Sequence, residues 1–539
     1  MTTHHGKTIT PGVAFGTVFV LTKSALVMSG AICDDPDWEW ARYLRAKAKC
    51  DLQLDALFLK TQQRLGEDKA MIVDVQRMIL NDVDFNAAIE TMICKQRLSA
   101  PYAVSQAGEQ FSTHFSSLGD PYLQTRALDV KDLARRLSDT LLGRVKSLRF
   151  PRPAVILADE LSPSEILQMD HNQIRAFVLR GGSANSHAAI LTQTIGIPCI
   201  YETDIITDTT LDGKEIIVDG EAGVCYVEAD ADTRAKMLAK QELELAEKDA
   251  LTSLKGLPTV TKDGRKIRLL ANITGIADLE AVLENDSEGI GLFRSEFIYT
   301  GREEPPDEEE QFDIYKKAAE AMEGKPVIIR TLDIGADKSA DYLKLDAENN
   351  PALGLRGIRL CLEKPLLFKT QLRALYRASA FGHIAIMFPM IASHWEVVRL
   401  KEVASAVRKE LMQEGVEIGN PSLGIMIETP AAAHIARDLA KEVDFFSVGT
   451  NDLAQYTLAL DRTNSRLSRF FDPCHPAIME MLRIIAKAAR DNGIRAGVCG
   501  ELAANMEQTE TLINMGFDDL SISPARTLEM RKMIREMGK

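Results

Sequence analysis

From Lys266 to the C-terminus the chain repeats one unit eight times: a short, nearly continuous apolar run followed by a helical stretch. The runs are KIRLLANI (266–273), GIGLF (289–293), PVIIRTLD (326–333), IAIMFPM (384–390), LGIMIET (423–429), DFFSVGT (444–450), IRAGVCG (494–500) and DLSIS (519–523). Runs that are apolar at consecutive positions fit strands buried on both faces, as parallel strands under a layer of helices are. Eight of them in alternation with helices is the count that closes a (β/α)8 barrel.

The first half is organised differently. Residues 8–21, TITPGVAFGTVFVL, read as a strand after a turn. From Asp34 to about Val145 glycine and proline thin out, and helical spacing predicts helices over 38–65, 69–80, 103–118 and 129–142, a block of four or five. Strands return at 153–157, 174–179, 215–218 and 224–227, with helices at 164–169 and 188–195. If the first strand of this α/β unit is the N-terminal one, the helical block is an insertion between its two halves. Residues 228–255 are rich in Ala, Glu, Lys and Leu and predict a long, mostly solvated helix joining two folded units. The expected fold is thus multidomain α/β. An α/β unit is built from 1–22 and 146–227, a helical bundle from 23–145, a linker helix from 228–255 and a barrel from 256–539.

Composition narrows the function. With 539 residues, three or four domains of ordinary size are expected. The 64 Lys and Arg against 78 Asp and Glu leave a net charge of −14, which repels phosphate backbones and anionic lipid. Nucleic acid and membrane surfaces are therefore poor partners, whereas a basic protein face would be attracted. The eight cysteines form no CxxC and no regular spacing, which argues against a disulfide framework or zinc knuckle and for a reducing compartment. Val13–Leu21 followed by 24–31 superficially resembles a signal peptide, but Lys23, Gly16 and Thr17 interrupt it and only Lys7 precedes it. No apolar run is long enough to span a bilayer, and a cytoplasmic protein is expected.

The chemistry collects after the apolar runs. Asn272 ends the first; Arg294, Ser295 and Glu296 follow the second; Arg330 and Asp333 end the third; Glu428 ends the fifth; Asn451 and Asp452 follow the sixth; Cys499 and Glu501 lie at the seventh. In a barrel these ends meet at one mouth. Arginine offers a planar fork to phosphate and carboxylate oxygens, and Glu428 with Asp452 are hard oxygen ligands suited to Mg²⁺. The set fits a small dianionic phosphate ester; either carboxylate could instead form a salt bridge to a barrel arginine. A second focus is GGSANSHAAILTQTIGIP (181–198), where His187 stands at the start of an apolar helix. The helix N-terminus would hold a phosphoryl group on that imidazole and keep the free ring neutral. A histidine so placed can equally be a capping or packed residue, and Ser186 is the plainer N-cap.

Together these segments resemble Enzyme I, the phosphoenolpyruvate–protein phosphotransferase of the bacterial sugar phosphotransferase system. The likeness runs through PGVAFG (11–16), SPSE (162–165), SHAAIL (186–191), GIGLFRSEF (289–297), RTLDIGADK (330–338), NPALGLRGIRL (350–360), GIMIETPAAAHIARDLAKEVDFFSVGTNDLAQYTLALDR (424–462) and AGVCGELA (496–503). The resemblance implies a phosphohistidine domain that swings on its linker, a helical domain that docks the carrier protein HPr, and a phosphoenolpyruvate-binding barrel that also makes a homodimer. It implies His187 as the phosphorylated nucleophile and Cys499 as the acid that protonates the enolate to pyruvate. Arg294, Arg330 and Arg462 would hold phosphate and carboxylate with Arg356 in support, Asn451 and the backbone near Asp452 would bind phosphate, and Glu428 and Asp452 would hold Mg²⁺.

Three features depart from the family pattern. Ala184 and Asn185 replace the usual Arg and Thr before His187, and Ala188 follows it. Ile166 stands where a Thr is usual, and the chain ends at Lys539, where many relatives carry a longer helical tail. These departures keep a second reading open, a catalytically weakened regulatory or scaffold homologue. The ATP-coupled relatives with the same histidine and barrel domains need a nucleotide-binding domain, and residues 23–145 hold no Gly-rich phosphate loop.

Overall fold

The computed structural model describes residues 1–21, 32–65, 67–117, 121–144, 152–182, 187–300, 302–335, 341–343, 345–346, 348–462 and 464–538. The chain forms two compact units, Met1–Glu247 and Lys248–Lys539.

In the first unit eight strands make one sheet: β1 (Thr2–His5), β2 (Lys7–Thr10), β3 (Val13–Leu21), β4 (Ala154–Ala158), β5 (Ile174–Leu179), β6 (Cys199–Tyr201), β7 (Glu215–Asp219) and β8 (Val224–Val227). Their order is β1-β8-β7-β3-β4-β5-β6-β2, with β3 through β6 parallel and the flanking pairs antiparallel. The central strands are buried on both faces. In β4, Val155 and Leu157 enter one apolar cluster while Ala154, Ile156 and Ala158 enter the other. Side chains alternate across a strand, so two buried faces require an unbroken apolar run, and AVILA is one.

Between β3 and its parallel neighbour β4 the chain is helical: Pro36–Leu65, Glu67–Asn81, Val83–Glu90 running into a π turn at Thr91–Lys95, Ala100–Ser117 and Pro121–Leu141. This realises the inserted bundle. The stretch expected as one strand over 8–21 is two, broken where Pro11 and Gly12 (φ 121°) turn the chain. The sequence reading had no counterpart for β1 or β6: one is the polar TTHH, the other only three residues after Pro198. The helix expected over 228–255 spans Ala231–Thr252 and buries no residue, as expected. It is nevertheless tied to the sheet by polar contacts, since Lys240 Nζ lies 2.9 Å from both Asp219 carboxylate oxygens and Glu244 accepts the Val13 N–H at 2.9 Å.

In the second unit β9 (Arg268–Ile273), β10 (Ile290–Arg294), β11 (Val327–Arg330), β12 (Ile384–Phe388), β13 (Ser422–Ile427), β14 (Phe445–Val448), β15 (Arg495–Val498) and β16 (Asp519–Ile522) pair in parallel in chain order, and β16 returns to β9. Each lies, to within one residue, inside one of the eight apolar runs. Leu270, Leu292, Ile328, Met387, Met426 and Phe445 form a separate apolar cluster on the inward side, with Cys499 among them. The helix Thr527–Glu536 follows β16 and buries Leu528, Met530 and Ile534. It also carries Arg531, fully buried, whose guanidinium donates to the Leu254 carbonyl at 3.0 Å, Thr259 Oγ1 at 3.2 Å, the Asp286 carboxylate and the Asp286 carbonyl. Replacing Arg531 by Met should strand those acceptors and lower barrel stability by about 3–5 kcal/mol, read as an earlier barrel transition in denaturant.

Candidate active site

A cavity of about 1050 Å³ opens at the C-terminal ends of the barrel strands. Eight of the nine residues singled out in the sequence line it: Arg294, Arg330, Arg356, Glu428, Asn451, Asp452, Arg462 and Cys499. Parallel strands of one register deliver them there, because each lies at or just past the end of its strand except Arg356 and Arg462, which come from the connections after β11 and β14. The ninth, His187, is the first residue of the helix His187–Ile195 in the other unit. Ala184, Asn185 and the expected N-cap Ser186 lie outside the described residues. Ala188 and Ile166 are buried, Ile166 in a helix started by a Ser162–Glu165 capping box.

The four arginines divide into two kinds. Arg330, nearly fully buried, sits 2.6 Å from Glu296 Oε1 and 3.0 Å from Asp333 Oδ2. Arg356 forks onto Asp333 through Nε at 3.2 Å and Nη2 at 2.9 Å, and its Nη1 reaches Asp452 Oδ1 at 3.4 Å. Burial pulls both guanidinium pKa values down, but Glu296 and Asp333 beside Arg330, and Asp333 and Asp452 beside Arg356, raise them above the ordinary value. Among the described residues Arg294 and Arg462 have no carboxylate within salt-bridge distance, so they are the ones whose donors are free for an anionic ligand. The salt-bridge alternative raised for the two carboxylates is therefore realised in part, at Asp452 but not at Glu428.

Glu428 is fully buried. Its Oε1 accepts the Met390 N–H at 2.6 Å, and its Oε2 has no hydrogen-bond partner among the described residues. Burial pushes its pKa up to about 8, helped by the charges of Asp452 and Asp333 and opposed by Arg330 and Arg356. A Cβ on Gly449 would stand 2.7 Å from that Oε2, so the space beside the orphaned oxygen exists because residue 449 has no side chain. An unpartnered buried carboxylate oxygen near a second carboxylate is suited to a hard divalent cation. Among the described residues no cluster of three or more His, Cys, Asp or Glu forms a self-contained metal site. Mg²⁺ needs none where substrate oxygens complete its shell.

Asn451 and Glu501 tie two strand ends together: Asn451 Nδ2 donates to Glu501 Oε1 at 3.2 Å, and the Glu501 N–H donates to Asn451 Oδ1 at 3.0 Å. Asn272 Nδ2 donates to the Cys499 carbonyl at 3.2 Å. The Cys499 thiol is buried against the Val448 carbonyl, 3.4 Å away. Burial pushes its pKa up to about 11 although Ser447, Arg330 and Arg294 pull it down, so it is a protonated thiol at neutral pH.

Family models agree with this layout. The PEP-utilising enzyme N-terminal model matches residues 5–126, the PEP-utilising enzyme mobile domain 150–223, and the PEP-utilising enzyme PEP-binding domain 248–538. The phosphoenolpyruvate-protein phosphotransferase of Staphylococcus carnosus is 38% identical over 540 residues, covering 99% of this chain and 94% of that protein. That of Bacillus subtilis is 37% identical over 98% of this chain and 93% of its own length. The chain belongs to the Enzyme I family. No helix among the described residues is long and apolar enough to cross a membrane.

Enzyme I motifs account for most of the cavity, yet the sequence assigned no role to Tyr456 in its wall or to Met390 behind Glu428. Met390 has a left-handed backbone (φ 59°), and its N–H fixes Glu428. Tyr456 meets Arg356 at 3.2 Å. Met390 reads as part of an apolar run, and only its φ betrays it. Tyr456 lies one helical turn after Asp452, a spacing that could have pointed to a shared face. Adding a methyl group at position 449 should fill the space beside Glu428 Oε2. Gly449→Ala is expected to cut phosphoryl transfer on the order of a hundredfold while near-UV circular dichroism stays unchanged.

Proposed function

We propose that this Enzyme I family member takes the phosphoryl group of phosphoenolpyruvate onto His187 and passes it to the carrier protein HPr, releasing pyruvate. The observation that carries the reading is the barrel mouth. Two arginines without a carboxylate partner among the described residues, a buried carboxylate oxygen without a hydrogen-bond partner among them, and a buried protonated thiol face one cavity. That set suits a ligand with a phosphate, a carboxylate and a carbon to be protonated, which phosphoenolpyruvate has.

In this mechanism Arg294 and Arg462 bind the phosphate and carboxylate, while Arg330 and Arg356, held by Glu296 and Asp333, present fixed charge. Glu428 and Asp452 would hold Mg²⁺, which when bound offsets charge on the phosphoryl and enolate oxygens. A neutral His187 nitrogen attacks phosphorus in line, and the bond from phosphorus to the enol oxygen breaks. The enolate then takes the Cys499 Sγ proton at its methylene carbon, giving pyruvate, and the thiolate recovers a proton from solvent. His187 and the mouth belong to separate compact units, so the reaction brings the two together across the helix Ala231–Thr252. The same histidine then meets HPr. A cytoplasmic homodimer fits the reading, as do the negative net charge and a basic docking face on the carrier.

Phosphoenolpyruvate with Mg²⁺ should leave an acid-labile phosphoryl adduct on one histidine, seen by intact mass and absent from His187→Ala. No adduct, or one that survives the substitution, would favour the weakened scaffold reading instead. Cys499→Ala should still phosphorylate His187 but release pyruvate about 10²–10⁴-fold more slowly, followed by coupled lactate dehydrogenase absorbance. Relay of label to purified HPr tests the partner.

A further inference from the structure

Tyr456 lies in the helix Thr450–Leu458, one turn beyond Asp452, and lines the cavity beside Arg356. Its hydroxyl donates to the carbonyl of Ala352, in the short turn Pro351–Leu353 that forms part of the cavity wall. A phenol has one proton. With that proton committed to Ala352, the 3.2 Å contact to Arg356 can only run from the guanidinium Nη1–H to the phenol oxygen.

Nη1 is the one nitrogen of Arg356 not spent on Asp333. It serves two acceptors, the Tyr456 hydroxyl at 3.2 Å and Asp452 Oδ1 at 3.4 Å. The Asp452 contact is long for a charge-assisted bond, which ordinarily closes to roughly 2.7–2.9 Å. Nη1 carries two N–H bonds, so it can serve both acceptors at once. The tyrosine oxygen, itself anchored on Ala352, adds to the Asp333 fork a second tether that holds the guanidinium at this distance from Asp452. Resting on the cation reading above, we propose that Tyr456 is a positioning residue. By tethering Arg356 Nη1 it keeps the guanidinium from closing on Asp452, and so leaves that carboxylate open to a divalent cation shared with Glu428. The same hydroxyl fixes the 351–353 turn against the cavity wall.

Tyr456→Phe keeps the ring and removes only the oxygen. Nη1 then has Asp452 as its remaining acceptor, the pair shortens, and the cation must displace an arginine. The decisive measurement is calorimetric titration with Mn²⁺ alone on the full chain carrying His187→Ala, with and without Tyr456→Phe. The tyrosine variant should bind Mn²⁺ about tenfold more weakly. In the chain with His187 intact the loss should fall on the KM for phosphoenolpyruvate more than on kcat, with the barrel's thermal transition unmoved. Equal Mn²⁺ affinities overturn the proposal, as does a weakening that comes with an earlier barrel transition, which would mark a merely structural role. Failure of the parent chain to bind Mn²⁺ at all would sink the cation reading itself.

Discussion

A buried chain of alternating charge sets the geometry of the barrel mouth: Glu296 to Arg330 at 2.6 Å, Arg330 to Asp333 at 3.0 Å, Asp333 to Arg356 at 2.9 Å and Arg356 to Asp452 at 3.4 Å. Removing any of these ions from water costs several kcal/mol, which only close partners offset. Arg330 accordingly lies between two close carboxylates and Arg356 is forked onto Asp333. Burial, with the charges of Asp452 and Asp333, holds Glu428 above its ordinary range. In the proposed reaction a divalent cation would offset that charge, and Arg294 and Arg462, which have no carboxylate partner among the described residues, would complete the binding of a dianion.

The backbone around Glu428 is shaped to the same end. Met390 adopts φ 59°, a conformation that costs an L-residue roughly 1–2 kcal/mol. It is held there because its N–H is the donor to Glu428 Oε1, and because Gly357 opposite has no side chain. A Cβ on Gly357 would stand 2.7 Å from the Met390 Cβ. Gly357 itself has φ 57°. Two left-handed residues from separate connections therefore fit together to aim one carboxylate, leaving its second oxygen unpartnered over the space that Gly449 keeps clear.

The barrel was legible because its signal is local and repeated: eight apolar runs each mark one strand, and polar residues at their ends converge by topology. That Arg294 and Arg330 would share a cavity followed from this alone. That Arg330 would be pinned while Arg294 stayed free did not, since Glu296 and Asp333 stand at strand ends with nothing in the sequence to say which arginine they pair with. Tyr456 escaped for the same reason, its partner Arg356 lying 100 positions away. In the first unit the inserted bundle was legible from the scarcity of glycine and proline, whereas β1 and β6 were not. A polar edge strand and a three-residue strand draw their stability from pairing with neighbours, which no local pattern records.

Glu428 and Cys499 show how one buried mouth can raise two acids together and still give them different roles. Burial is the main cause of both shifts, taking the carboxylate up to about 8 and the thiol up to about 11. A divalent cation beside Glu428 would favour its ionised form, so the carboxylate can yield its proton when the site fills. The thiol, with a higher starting value and no cation ligand role, keeps its proton at neutral pH. Arg294 and Arg330 act on Cys499 in the other direction, stabilising the thiolate that remains once the proton has gone. In the proposed reaction the proton is therefore in place before the enolate exists, and the charge left behind by its transfer is already countered by the arginines that hold the substrate.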